Sequence, residues 1–132
     1  MMTADLNASP VSRKLLWAAY AMGALPVLLL LMSSILKLVN PPFVTEGFVH
    51  LGYPGSQALG IGIAELISTI LYVIPRTSVL GAILLTGYLG GATASHVRIG
   101  EPFHAAILLG VLIWASLYVR DASLRALLPL RS

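Results

Sequence analysis

The chain has 132 residues, of which 58% are hydrophobic and only 10% charged, against roughly 25% charged in an ordinary soluble domain. That composition argues against a soluble protein and for a single membrane domain over 1–132, and the absence of cysteine excludes thiolate catalysis, disulfide exchange and cysteine-based zinc sites within the chain. The formal charge of +3 does not signal nucleic acid, because the basic residues stand between apolar segments rather than in a patch interleaved with aromatics.

Arg13 and Lys14 precede the first apolar segment, 15–38. Basic residues before an apolar run resemble a signal peptide, but the run exceeds an h-region of about 7 to 15 residues, so a retained transmembrane helix is expected. Pro26 removes a backbone donor inside it and should bend the helix near the carbonyl of Met22. Asn40, Pro41 and Pro42 then end it.

The one long connection reads NPPFVTEGFVHLGYPGS, 40–56. Phe43, Phe48 and Leu51, with Thr45 and Glu46 at the start and Gly52 as the stop, predict a short interfacial helix. The second segment, 57–74, ends at Pro75 and Arg76, so the third, 78–97, must return antiparallel beside it. Gly100, Glu101 and Pro102 separate the third from the fourth, 103–119. Each segment meets or nearly meets the roughly 17 to 25 residues needed to cross hydrocarbon. The expected fold is therefore all-α, a four-transmembrane-helix bundle with a short interfacial helix between the first and second spans.

Lys and Arg in short loops orient such a chain. Arg13, Lys14, Arg76, Arg120, Arg125 and Arg131 fall on the side of the termini, against Lys37 and Arg98 opposite, which places both termini in the cytoplasm. The same assignment puts Lys37, Glu46, His50, Glu65, His96, Arg98, Glu101 and His104 in the outer half or the outer loops.

Among these, Glu65 is the most demanding residue. It lies eight residues beyond Gln57, about 12 Å along a helix, too deep to reach water easily. An ionised carboxylate there must face the interior, find a cation or take a proton. Lys37 and His96 come from helix ends in the same leaflet and are its candidate partners. Two readings stay open: a buried Lys37–Glu65 pair that only fixes register, or a functional cluster. Tyr72 and Tyr88 lie deeper, where a buried phenol needs a partner, either lining a cavity or bonding a helix carbonyl. A metal site from the histidines and Glu65 lacks HExxH-like spacing, and none is expected.

Small residues recur every four positions at Gly60, Ala64 and Ser68, at Gly87, Gly91 and Ser95, and at Thr86, Gly90 and Ala94. Such rows let backbones approach closely. They predict tight packing of the second helix on the third, or a homo-oligomer face.

SILKL at the end of the first segment, LGYP before the second, IAEL within it, IPRTSVLGAILLTGYLGGATASHVR through the third and WASLYVRD ending the fourth together resemble the DoxX-like family of small bacterial membrane proteins. The resemblance covers 15–129 and falls on Lys37, Gly52, Tyr53, Pro54, Glu65, Pro75, Arg76, Gly90, Gly91, His96 and Arg98. It implies a four-helix protein of a bacterial inner membrane, distantly similar to DoxX proper, which is named for a subunit of a thiosulfate:quinone oxidoreductase.

Three functions follow as expectations. One is a subunit beside a membrane redox partner that binds a quinone or similar amphipathic molecule through Lys37, Glu65, His96, Tyr72 and Tyr88, with His50, Tyr53 and Arg98 as secondary candidates. The hard electron chemistry would then belong to the bound molecule or the partner, and no self-contained catalytic machinery is legible. The others are a small oligomeric transporter in which Glu65 and His96 carry protons or solute, and a structural membrane adaptor.

Overall fold

The computed structural model describes residues 12–127; Arg131, counted above toward orientation, and Pro129, the end of the resemblance, lie outside them. The described residues are all-helical: α1 (Arg13–Val39), α2 (Pro42–His50), α3 (Gln57–Val73), a 3₁₀ turn (Pro75–Thr77), α4 (Ser78–Arg98), α5 (His104–Arg120) and α6 (Ala122–Leu127). Of these, α1 and the Pro75–Arg98 stretch are long and apolar enough to cross a membrane, and α3 and α5 are shorter apolar helices.

Local chemistry sets the ends. The Ser12 hydroxyl accepts the Leu15 N–H at 3.2 Å, satisfying one of the free donors at the start of α1. The helix continues through the buried Pro26 and stops at Asn40, which takes the left-handed conformation (φ 53°) and returns its N–H to the Leu36 carbonyl. The next helix starts at Pro42, earlier than the expected Thr45 and Glu46, because proline at a first helical position has its φ already set and no N–H to leave unpaired. At the far end of α3 the hydroxyls of Thr77 and Ser78 donate to the carbonyls of Leu71 and Tyr72, each at 2.7 Å. They replace the backbone donors that Pro75 interrupts.

Each of α1 and α4 packs against both α3 and α5, so the four long helices close a ring in which α1 and α4 stand across from each other. The polarity of this ring is inverted relative to a water-soluble domain. Leu28, Met32 and Ile35 on α1, Ile67 on α3, Ile83 on α4 and Leu108 on α5 are exposed, whereas Ser34, Glu65, Thr69, Ser78 and Ser116 are buried. Facing water, large apolar side chains forfeit roughly 1.5–3 kcal/mol each, so such an exterior is stable only against lipid or protein. Small hydroxyls inside satisfy themselves locally, as when Thr69 donates to the Glu65 carbonyl at 2.8 Å, and leave room for backbones to approach.

The close approaches are not where the small-residue rows predicted them. A Cβ added at Gly81 would stand 2.2 Å from the Tyr72 nitrogen and one at Gly62 would stand 2.7 Å from the Lys37 Cβ, but one at Gly60, Gly87, Gly90 or Gly91 would meet nothing within 4 Å. The short turn at Pro75 forces α3 and α4 together beside it, at Gly81, while the faces carrying Gly87 and Gly91 turn to an open space.

Candidate functional site

That space is a cavity of about 710 Å³ at the α2 end of the ring, within the roughly 300–1,000 Å³ of small-molecule sites. Its walls are Leu29, Met32 and Leu36 of α1 and Gly87, Gly91 and Ala92 of α4, capped by Val44, Gly47 and Phe48 of α2. Because α1 and α4 stand across the ring, no direct packing between them closes it. Glycine at 87 and 91 supplies part of the opening.

The polar groups of this end come from four helices and two connections. Lys37 from α1 and Glu65 from α3 form an ion pair, Nζ to Oε1 at 3.0 Å, with the carboxylate side chain fully buried and the lysine 14% exposed. Ser33, one turn before Lys37, accepts from Nζ at 2.5 Å and donates to the same carboxylate oxygen at 3.4 Å. Lys37 and Ser33 both line the cavity, and Glu65 lies directly behind them. Its other oxygen, Oε2, is buried and accepts no hydrogen bond. Tyr88 also lines the cavity and holds its ring 5.6 Å from the Lys37 ammonium, a cation–π distance.

Nearer the mouth, His96 lines the cavity and its Nδ1 meets the Ala92 carbonyl at 2.8 Å. A carbonyl can only accept, so Nδ1 carries a proton and Nε2 is the ring nitrogen left facing away from that bond. Tyr53 reaches Ser95 at 2.8 Å, and Ser95 in turn donates to the Gly91 carbonyl at 2.9 Å. His50 pairs with Glu101 at 3.0 Å, both substantially exposed, which ties the end of α2 to the α4–α5 connection. Arg98 donates to the Leu51 carbonyl and lies 5.9 Å from the Tyr53 ring. Gly52, with φ at 91°, turns the chain beside Arg98; its added Cβ would come within 3.1 Å of the guanidinium.

Seven of the eight candidates thus gather at one end: Lys37, Glu65 and Tyr88 deep, His96 higher, and His50, Tyr53 and Arg98 around the mouth. Tyr72 does not join them. Its hydroxyl donates to the Ile113 carbonyl at 2.7 Å and accepts from Arg120 at 3.1 Å, at the opposite end, where Ser116 donates to the Ala19 carbonyl at 2.6 Å. Of the two roles open to a buried phenol, Tyr72 bonds a helix carbonyl and Tyr88 lines the cavity. Tyr72→Phe should cost about 1 kcal/mol of stability, read in a thermal unfolding curve, and leave any ligand bound at the α2 end undisturbed.

Ser33 and Ser95 escaped sequence reasoning. A serine in an apolar helix usually bonds its own backbone, and nothing marks one that does more. The signal for Ser33 is its place four residues before Lys37, on the same helix face.

A comparison with protein-family models matches the DoxX-like family over residues 21–118. Comparisons with curated proteins and with solved structures gave no match. The matched stretch runs from within α1 almost to the end of α5 and contains every residue of the cavity described above, on an all-helical chain with an apolar exterior. The chain belongs to the DoxX-like family and is a DoxX-type membrane protein.

Proposed function

We propose that the chain forms one membrane domain in which α1, α3, α4 and α5 each cross the bilayer of a bacterial inner membrane, with both termini cytoplasmic and the α2 end outward. In this reading it is a ligand-binding subunit. It holds a quinone-like amphipathic molecule in the outer-half cavity and works beside a membrane redox partner that supplies the electron chemistry. The observation that carries it is the cavity itself, about 710 Å³ of apolar wall with a buried Lys37–Glu65 pair converging on one side. A few polar groups aimed into an apolar pocket give a ring-shaped ligand both its affinity and its orientation.

The apolar wall suits the ring and tail of such a molecule, and the opening between α1 and α4 suits arrival from the lipid. Lys37 is the natural donor to a ligand oxygen. Glu65 holds Lys37 in place through their ion pair, and a charge-assisted donor makes the stronger hydrogen bond. Ser33 holds both.

The test uses the glycine wall. Gly91→Leu should place a side chain in the cavity, since Gly91 lines it and a Cβ there meets nothing within 4 Å. The variant is expected to fold as well as the parent while losing the small molecules that mass spectrometry finds on gently purified protein. Retention of the same molecules by Gly91→Leu would place their site elsewhere and defeat the reading.

A further inference from the structure

We propose a second binding site at the end of the ring opposite the cavity, where Arg120 takes the headgroup phosphate of an anionic phospholipid in the leaflet at that end. The inference uses the bilayer part of the reading above and is independent of what the cavity holds.

Arg120 is the last residue of α5 and reaches both α1 and α3. Its guanidinium carbon lies 5.5 Å from the Tyr20 ring and 5.4 Å from the Tyr72 ring, and two rings at cation–π distance hold the charge in one place. Nε donates to the Ser116 hydroxyl at 3.0 Å and Nη2 to the Tyr72 hydroxyl at 3.1 Å, so the edge of the guanidinium that carries these two nitrogens is committed to neutral groups. Those bonds use two of its five N–H groups. Nη1 donates to nothing among the described residues. Together with the remaining N–H of Nη2 it leaves the other edge of the fork open, the geometry that takes two oxygens of one phosphate.

What this cation lacks is an anion. Lys37, the other cation set into the ring, has Glu65, but no carboxylate among the described residues pairs with Arg120. Asp121, next in the chain, accepts the Leu124 N–H at 3.0 Å at the start of α6. A cation at the edge of hydrocarbon is stable when paired, and here the bilayer supplies the counter-ion. Arg120 is partly exposed. Trp17 and Tyr20 at the same end are 70% and 53% exposed, as aromatic side chains are at headgroup level. Arg13, Lys14 and Arg76 are exposed there as well, and Asp121 is the one acid at that end among the described residues, which makes a positive surface that draws anionic lipid.

Native mass spectrometry tests the site on the full chain, stripped of lipid in mild detergent and titrated with phosphatidylglycerol, phosphatidylcholine or inorganic phosphate. One phosphatidylglycerol per chain is expected, bound at least about fivefold more tightly than phosphatidylcholine and not displaced by millimolar inorganic phosphate. Arg120→Gln should weaken it about 10- to 100-fold. Arg120→Lys, which keeps the charge without the fork, should fall between the two, and Arg13→Gln, which removes an exposed charge only, should cost about fivefold at most. Equal affinity for the two lipids, undiminished binding by Arg120→Gln, or displacement by inorganic phosphate overturns the proposal. The first and third are read on the unaltered chain, so they decide even where Arg120→Gln fails to fold. None of them touches the bilayer reading, which falls instead if the chain stays folded and monodisperse in buffer without detergent.

Discussion

Lys37→Met is expected to destabilise the protein by about 3–5 kcal/mol, while the double variant Lys37→Met/Glu65→Leu recovers most of that loss. The asymmetry follows from burial. Glu65 is wholly enclosed and its ion pair with Lys37 at 3.0 Å is the main compensation for its desolvation. Removing the cation strands a charge, which must then be expelled or protonated at a cost; removing both charges leaves an apolar contact of similar volume. Unfolding of the three proteins in mixed micelles gives the comparison. A single variant as stable as the parent, or a double variant as unstable as the single, would show that the pair does not hold the helices as described. The double variant also separates two functional readings. A structural adaptor should still work with the charges gone, whereas a ligand-binding subunit should fold and bind nothing.

The second large effect lies at Gly81. Gly81→Val should be more damaging than an ordinary overpacked core substitution, which costs about 1–3 kcal/mol, because the added Cβ would come 2.2 Å from a backbone nitrogen and 2.5 Å from the Tyr72 Cα. Backbone cannot rotate out of the way as a side chain can, so α3 and α4 would have to separate. Gly60→Ala and Gly87→Ala serve as controls. Neither would meet a neighbour, and alanine suits a helix better than glycine by roughly 0.5–1 kcal/mol, so both should match or exceed the parent. The measurement is expression and melting temperature of the three variants side by side. Equal tolerance at positions 81 and 87 would contradict the packing of α3 on α4.

The two substitutions show where the reading of the sequence reached and where it stopped. The helices were legible because hydrophobic runs broken by Asn40, Pro75 and Gly100 leave few alternatives, and the observed limits of α3, α4 and α5 differ from the expected segments by at most one residue at an end. The Lys37–Glu65 pair was legible for a related reason: a lone carboxylate in an apolar segment needs a cation, and the antiparallel order of the helices brings Lys37 to the same end. The small-residue rows misled because spacing by four identifies a helix face without saying what that face meets. Gly87 and Gly91 share such a face, and in the structure it borders a cavity.

The fate of the two deep tyrosines makes the same point. Tyr72 and Tyr88 are similar in their local sequence, each a phenol in an apolar helix. Tyr72 lies one turn from the Pro75 break and meets α5 at Ile113 and Arg120, whereas Tyr88 sits where α4 faces Lys37 across the ring. Periodicity along one helix cannot distinguish these neighbours.

The amino-acid order alone thus determined which stretches are helical, that their surfaces suit lipid, and that one buried acid requires a partner, because each of these depends on polarity and spacing along a single chain segment. Only the tertiary arrangement decided that α1 and α4 stand apart at the α2 end and that Arg120 reaches Tyr20 and Tyr72. Those depend on distances between segments remote in the chain, and no one-dimensional pattern records them.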